Sequence, residues 1–179
     1  IYRKLAYDPL RDFTAIGGLV NFPLLLVAHP SLPVKNLKEL ITFAKARPGQ
    51  LTYGSAGVGS SGHLAGVLFD SMTGTALTHI PYKGMSIAIT DLIGGQVSLT
   101  FGTSLSVVPQ VRNGRLRALA MTSAKRSRAT PDLPTIAEAA GLPGFDVSAW
   151  MGLLGPKGLP ADIKGKLHAA IVAGLADPQ

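Results

Sequence analysis

Leu51-Thr52-Tyr53-Gly54-Ser55-Ala56-Gly57-Val58-Gly59-Ser60-Ser61-Gly62-His63-Leu64 decides how this chain folds and points to what the fold holds. Strand-like residues run into a glycine-rich turn, and the turn opens into an apolar-periodic stretch, His63 to Met72, that reads as helix. Ser60 or Ser61 caps that helix, Gly74 ends it, and Leu64, Leu68 and Met72 are its expected apolar stripe. Glycines let the backbone approach a ligand closely, and the first amides of a helix have no partner inside it. Gly57 to Gly62 therefore reads as an anion cradle.

The same turn satisfies G-x-G-x-x-G between a strand and a helix, the dinucleotide fingerprint, which calls for an acidic residue about 20 positions on to hold the ribose. Tyr82-Lys83-Gly84 stands there instead, while Asp70 lies on the helix itself and Asp91 in the next helical stretch. Lys83 suits a 2′-phosphate, so an NADP-dependent oxidoreductase is the alternative reading of residues 57–62. Ser60 and Ser61 near His63 also suggest a nucleophile, but the turn is not G-x-S-x-G and no acid is placed to orient the histidine. Binding is favoured over catalysis, and no catalytic residue is assigned.

Outward from the turn, strand and helix alternate. Asn36 with Glu39 makes a capping-box-like start, and Leu37, Leu40, Ile41 and Ala44 place a helix as far as Ala46, before Pro48-Gly49. Strands are expected at Leu77 to Ile80, Val97 to Phe101 and Leu116 to Thr122, with helices near Ser86 to Ile93 and Ser104 to Arg112. Further on, Thr135 and Glu138 mark a second capping box, Val147 to Leu154 a buried strand, and Ile163, Leu167, Ile171 and Leu175 the stripe of a long helix. This alternation predicts an α/β fold with a parallel or mixed sheet covered on both faces.

Composition narrows the classes. The absence of cysteine removes disulfides, thiolate metal sites and a cysteine nucleophile. A net charge of +7 arises from few acids, and the densest basic cluster, Lys125-Arg126-Ser127-Arg128, lacks interleaved aromatics, so it reads as a solvated loop rather than a nucleic-acid surface. A diffuse positive field nonetheless attracts anions. Glycine, proline and charge interrupt every apolar run before membrane-span length. His29, His79 and His168 have no carboxylate or second histidine at ligand spacing, so neither metal nor cofactor is expected.

Taken in order, LTYGSAGVGSSGHL (51–64), His79-Ile80-Pro81-Tyr82-Lys83-Gly84, Asp91-Leu92-Ile93-Gly94-Gly95-Gln96-Val97, Gly114-Arg115-Leu116-Arg117-Ala118-Leu119-Ala120 and Pro131-Asp132-Leu133-Pro134-Thr135 resemble the substrate-binding proteins of tripartite tricarboxylate transporters, the Bug or TctC type. The resemblance runs over nearly the whole chain. It implies a type II periplasmic-binding-protein-like fold of two lobes joined by paired hinge strands, at Leu24 to His29 and Leu116 to Thr122. Residues 29–120 would form a complete second lobe, with 1–28 and 121–179 parts of a first. It also implies an extracytoplasmic, periplasmic protein that captures a small carboxylate for membrane permease subunits.

Family members begin with a leader and a first-lobe glycine-rich turn that this sequence does not contain, so the chain is expected to be a fragment, prone to self-association of the incomplete lobe. The expected ligand contacts are the amides of Gly57, Gly59, Ser60 and Ser61, the hydroxyls of Ser55, Ser60 and Ser61, and the ring of His63, which is read equally as packing. Tyr82, Lys83, Gly84, Thr103 and Ser104 form a second wall, with Thr103 and Ser104 also read as helix caps. Gly102-Thr103 stands where the family often has Asp-Asn, which leans toward a ligand without an ammonium group. Trp150 is read as packing.

Overall fold

A 16-residue strand, β1 (Phe13–Ala28), organises the structure, a computed structural model describing residues 5–128 and 130–176. The chain then alternates α1 (Leu37–Lys45), β2 (Thr52–Ser55), α2 (Ser61–Thr73), β3 (Thr78–Pro81), α3 (Met85–Ile93), β4 (Leu99–Thr103), α4 (Ser104–Arg112), β5 (Arg117–Met121), α5 (Ile136–Ala140), β6 (Ser148–Pro156) and α6 (Ala161–Ala176). Ile1 to Lys4, Ala129 and Asp177 to Gln179, which include the ends of the expected fragment, lie outside the described residues.

Phe22–Ala149 forms one compact unit. Its strand order is β3-β2-β4-β1-β5, with β2 parallel to both neighbours and β1 antiparallel to β4 and β5. Successive residues of β1 point to opposite faces. Leu24, Leu26 and Ala28 therefore join a core with Leu37 and Leu40 of α1, Ala65 and Phe69 of α2 and Ile136 of α5, whereas Leu25 and Val27 join Ile89 and Leu92 of α3 and Val107 of α4. Helices thus cover both faces, as the alternation of elements predicts. The unit is wider than the expected 29–120 because Leu24 to Ala28 lie between β4 and β5, and Ile136 and Phe145 are fully buried in its core.

Helix starts follow the sequence rules closely. Asn36 accepts from the Glu39 amide, and Thr135 and Glu138 form a complete capping box. The stripe of α2 is met in part: Leu68 and Met72 pack against the core, whereas Leu64 is 47% exposed and the buried positions are Gly62, Ala65, Gly66, Phe69 and Thr73. Residue size explains the rotation. A Cβ on Gly66 would lie 2.4 Å from the Tyr53 ring and one on Gly62 would lie 2.7 Å from the Phe101 carbonyl, so the helix lays its small face on the sheet.

Thr122 closes this unit. Its buried hydroxyl accepts from the Leu24 amide at 2.9 Å and donates to the Val147 carbonyl at 2.6 Å. Thr122→Val leaves both backbone groups unpaired in a dry interior, at about 1 to 3 kcal/mol for each orphaned group. Calorimetry should show the midpoint falling by several degrees, at about 2 to 4 °C per kcal/mol for a chain of this size, with Thr122→Ser close to the parent.

The other unit pairs β6 with β1 and adds α6. Thr14 donates its hydroxyl to Pro156 O, Lys157 its amide to Asp12 O, and the His168 ring donates to Ile16 O at 2.9 Å. The strand expected to be buried at 147–154 is instead largely exposed, with Met151 at 57% and Leu154 at 51%, and α6 buries none of its residues. Its stripe residues Ile163, Leu167 and Leu175 are exposed too. Apolar spacing gives the element and its face, but burial needs a partner surface, and none covers these side chains among the described residues. Trp150, read as packing, is 68% exposed.

Candidate functional site

Because β2, β3 and β4 run parallel, their carboxyl ends lie at one edge of the sheet and feed α2, α3 and α4. The chain passes from β2 to β3 on one side and then crosses to β4 on the other, which makes this edge a switch point where open α/β sheets bind ligands. The sequence-predicted residues gather along it.

The cradle is folded tightly on itself. Gly57 (φ 122°) and Gly59 (φ 86°) adopt the left-handed backbone that favours glycine. Ser60 is the N-cap of α2: its Oγ accepts from the His63 amide at 3.3 Å and donates to Gly57 O at 2.8 Å. Fully buried Ser55 Oγ accepts from the Gly57 amide at 3.1 Å and lies 2.6 Å from His79 Nε2. The Gly59 amide donates to His63 Nδ1 at 3.1 Å. Ser55, Gly57, Gly59 and Ser60 thus spend polar groups on the shape of the turn, and the Ser61 hydroxyl has no hydrogen bond among the described residues. The Ser61 and Gly62 amides open the helix with no intrahelical acceptor.

The second wall divides similarly. The Tyr82 hydroxyl donates to Asp91 at 2.8 Å, and burial followed by that bond raises its pKa above the usual phenol value. Lys83 is exposed and forms no ion pair among the described residues. Gly84 is the extended N-cap of α3. Thr103 and Ser106 hydroxyls lie 2.7 Å apart, and Ser104 Oγ reaches Pro23 O at 3.4 Å.

His79 was missed in the sequence because nothing near it in the chain is a partner; the signal is the parallel register that sets Tyr53 against His79. Its ring stacks on His63 with centroids 4.2 Å apart and lies 4.9 Å from the Tyr53 ring. Burial, then the neighbouring His63, hold its pKa below the ordinary histidine value. Tyr53 is pushed up to about 12 by burial and then by Asp70. Among the described residues no group of side chains could hold a metal ion.

Helix starts at the carboxyl edge of a mixed sheet, one of them opened by a glycine-rich turn, give the geometry in which α/β proteins hold anionic ligands. The chain belongs to the tripartite tricarboxylate transporter family receptor group, whose model matches residues 1–179. It is similar to the UPF0065 protein in the TAR-I ttuE-ttuC′ intergenic region of Agrobacterium vitis, 37% identical over 99% of this chain and 51% of that protein. It is also similar to protein BugT of Bordetella pertussis, 40% identical over 87% of this chain and 47% of that one.

Among solved structures, R. palustris Rpa4515 with adipate matches at a TM-score of 0.94 and 40% identity, over 99% of this chain and 59% of that one. MatC from Rhodopseudomonas palustris with bound malate matches at 0.88 and 35%, over 98% and 60%. The chain therefore spans about half the length of the curated relatives it matches. The family and its structural neighbours are periplasmic substrate-binding proteins, not enzymes. The oxidoreductase reading of 57–62 falls with that. No helix among the described residues is long and apolar enough to cross a membrane.

Proposed function

We propose that this protein captures a small carboxylate at the carboxyl edge of β2, β3 and β4, outside the cytoplasm, and delivers it to the permease subunits of a tripartite tricarboxylate transporter. The observation that carries this reading is the start of α2, where the Ser61 and Gly62 amides have no intrahelical acceptor and the Ser61 hydroxyl has no hydrogen bond among the described residues. The remaining contacts we assign are Lys83, Gly84, Thr103 and Ser104 across the edge, while Gly57, Gly59 and Ser60 bond within the turn and give it its shape. Ser55, Tyr82 and His63 shape the walls. Two similar proteins hold the dicarboxylates adipate and malate, which is the ligand class we assign here.

A helix N-terminus contributes about 0.3 to 1 kcal/mol toward an anion, and one or two charge-assisted bonds about 1.5 to 3 kcal/mol each. Contacts from Phe22–Ala149 alone therefore support roughly millimolar to high-micromolar binding. A thermal-shift screen of adipate, malate, citrate, benzoate and NADP tests the reading, since only a ligand of the folded state raises the midpoint. At about tenfold the dissociation constant a dicarboxylate should add about 1.4 kcal/mol, a shift of a few degrees. A response to NADP and to none of the acids would sink the proposal.

A further inference from the structure

We propose that His63 and His79 are positioning residues that hold the cradle turn in its ligand-ready shape, and that a proton on His63 releases it. The inference deepens the carboxylate-binding reading above and rests on it for its functional consequence.

The bonds that hold the amides of both left-handed glycines lead back to this pair. Gly59 is held by His63 Nδ1, which can accept its amide only while that nitrogen carries no proton. Gly57 is held by Ser55 Oγ, itself bonded to His79 Nε2. The rings then press on one another, tilted by only 28°, so the two halves of the turn are fastened to a single stack. Those two glycines have the left-handed dihedrals that give the cradle its form.

The two histidines respond differently to acid. His79 Nε2 can donate to or accept from a hydroxyl, so its bond to Ser55 survives in either protonation state. His63 has no such freedom. With a proton on Nδ1 the ring and the Gly59 amide become two donors facing each other, and any charge on His79 lies one ring-stack away. The other titratable groups facing the stack are Tyr53 on β2, which lies against His79, and Asp70 on α2, which acts on Tyr53. The depressed pKa of His79 is consistent with a stack that resists charge. Released, the turn no longer aims the first amides of α2.

The test has a ligand-free arm and a binding arm. Nitrogen-proton NMR of the unliganded wild type, followed from about pH 7.8 to about pH 5.8, spans the ordinary histidine range. The Gly59 amide should shift and exchange faster on acidification. In His63→Asn, whose amide oxygen takes the place of Nδ1 and does not titrate, it should hold still. Calorimetry with adipate at the two ends of the range then compares the ratio of affinities in each protein, which cancels the ligand's own titration. Wild type should weaken on acidification by about two- to tenfold more than the variant, the size of one net hydrogen bond. A Gly59 amide indifferent to pH in the wild type, or moving equally in both proteins, overturns the proposal whether or not adipate binds. Equal affinity ratios overturn it as well. Adipate failing to bind either protein counts against the carboxylate reading, while the amide still decides the lock.

Discussion

Gly62→Ala and Gly66→Ala should each lower the thermal midpoint, against the ordinary expectation that alanine improves a helix. Propensity alone predicts a gain of about 1 kcal/mol. Sterics oppose it: the new methyl on Gly62 would sit 2.7 Å from the Phe101 carbonyl, a backbone atom that cannot rotate aside, and that on Gly66 2.4 Å from the Tyr53 ring. Tyr53 is itself fully buried against His79 and Phe101. Overpacking costs about 1 to 3 kcal/mol, which less the propensity gain leaves a net loss of up to about 2 kcal/mol and a fall of up to about 8 °C. Gly165→Ala on α6 supplies the contrast, since nothing lies within 4 Å of its Cβ, and it should stabilise. Calorimetry of the three variants checks this; Gly62→Ala melting at or above the parent temperature would show that α2 does not rest as closely on the sheet as described.

Ser60→Ala and Ser61→Ala should separate cleanly, although the two residues are neighbours. Ser60 accepts from the His63 amide and donates to Gly57, so its loss should cost about 0.5 to 2 kcal/mol of stability as any N-cap does. The Ser61 hydroxyl has no hydrogen bond among the described residues, and Ser61 is the first residue of α2. Removing it should leave the midpoint within a degree or two while weakening adipate about tenfold or more, the worth of one bond to a charged group. Paired melting and calorimetry read both effects. Unchanged affinity in Ser61→Ala would move the ligand away from the start of α2.

Local rules made the scaffold legible. Asn36 with Glu39, Thr135 with Glu138, Ser60 and Gly74 mark helix ends by hydrogen bonds that form within a few residues, and the structure has all of them. The glycine-rich turn that opens α2 was legible for the same reason. Interactions that depend on distant residues were harder to see. The buried face of α2 turns on Phe101 and Tyr53 as much as on its own leucines, so period alone found Leu68 and Met72 against the core but also chose the exposed Leu64. The first half of β1 lacks a simple apolar run, and the 16-residue strand showed only as Leu24 to His29. His79 became part of the site through strand register, and Ser55 was read as a ligand donor because its bond to His79 spans 24 positions.

Thr122 carries a further consequence for engineering. Its single hydroxyl reaches both Leu24 and Val147, residues near the two ends of the Phe22–Ala149 unit, so those ends lie side by side. A segment whose entry and exit adjoin behaves as a cassette: a host loop can carry it without stretching, or a short glycine-serine bridge can join its ends and let new termini open elsewhere. Residues 22–149 are thus the natural portable piece of this chain, and exposed Lys125 offers a place to reopen it.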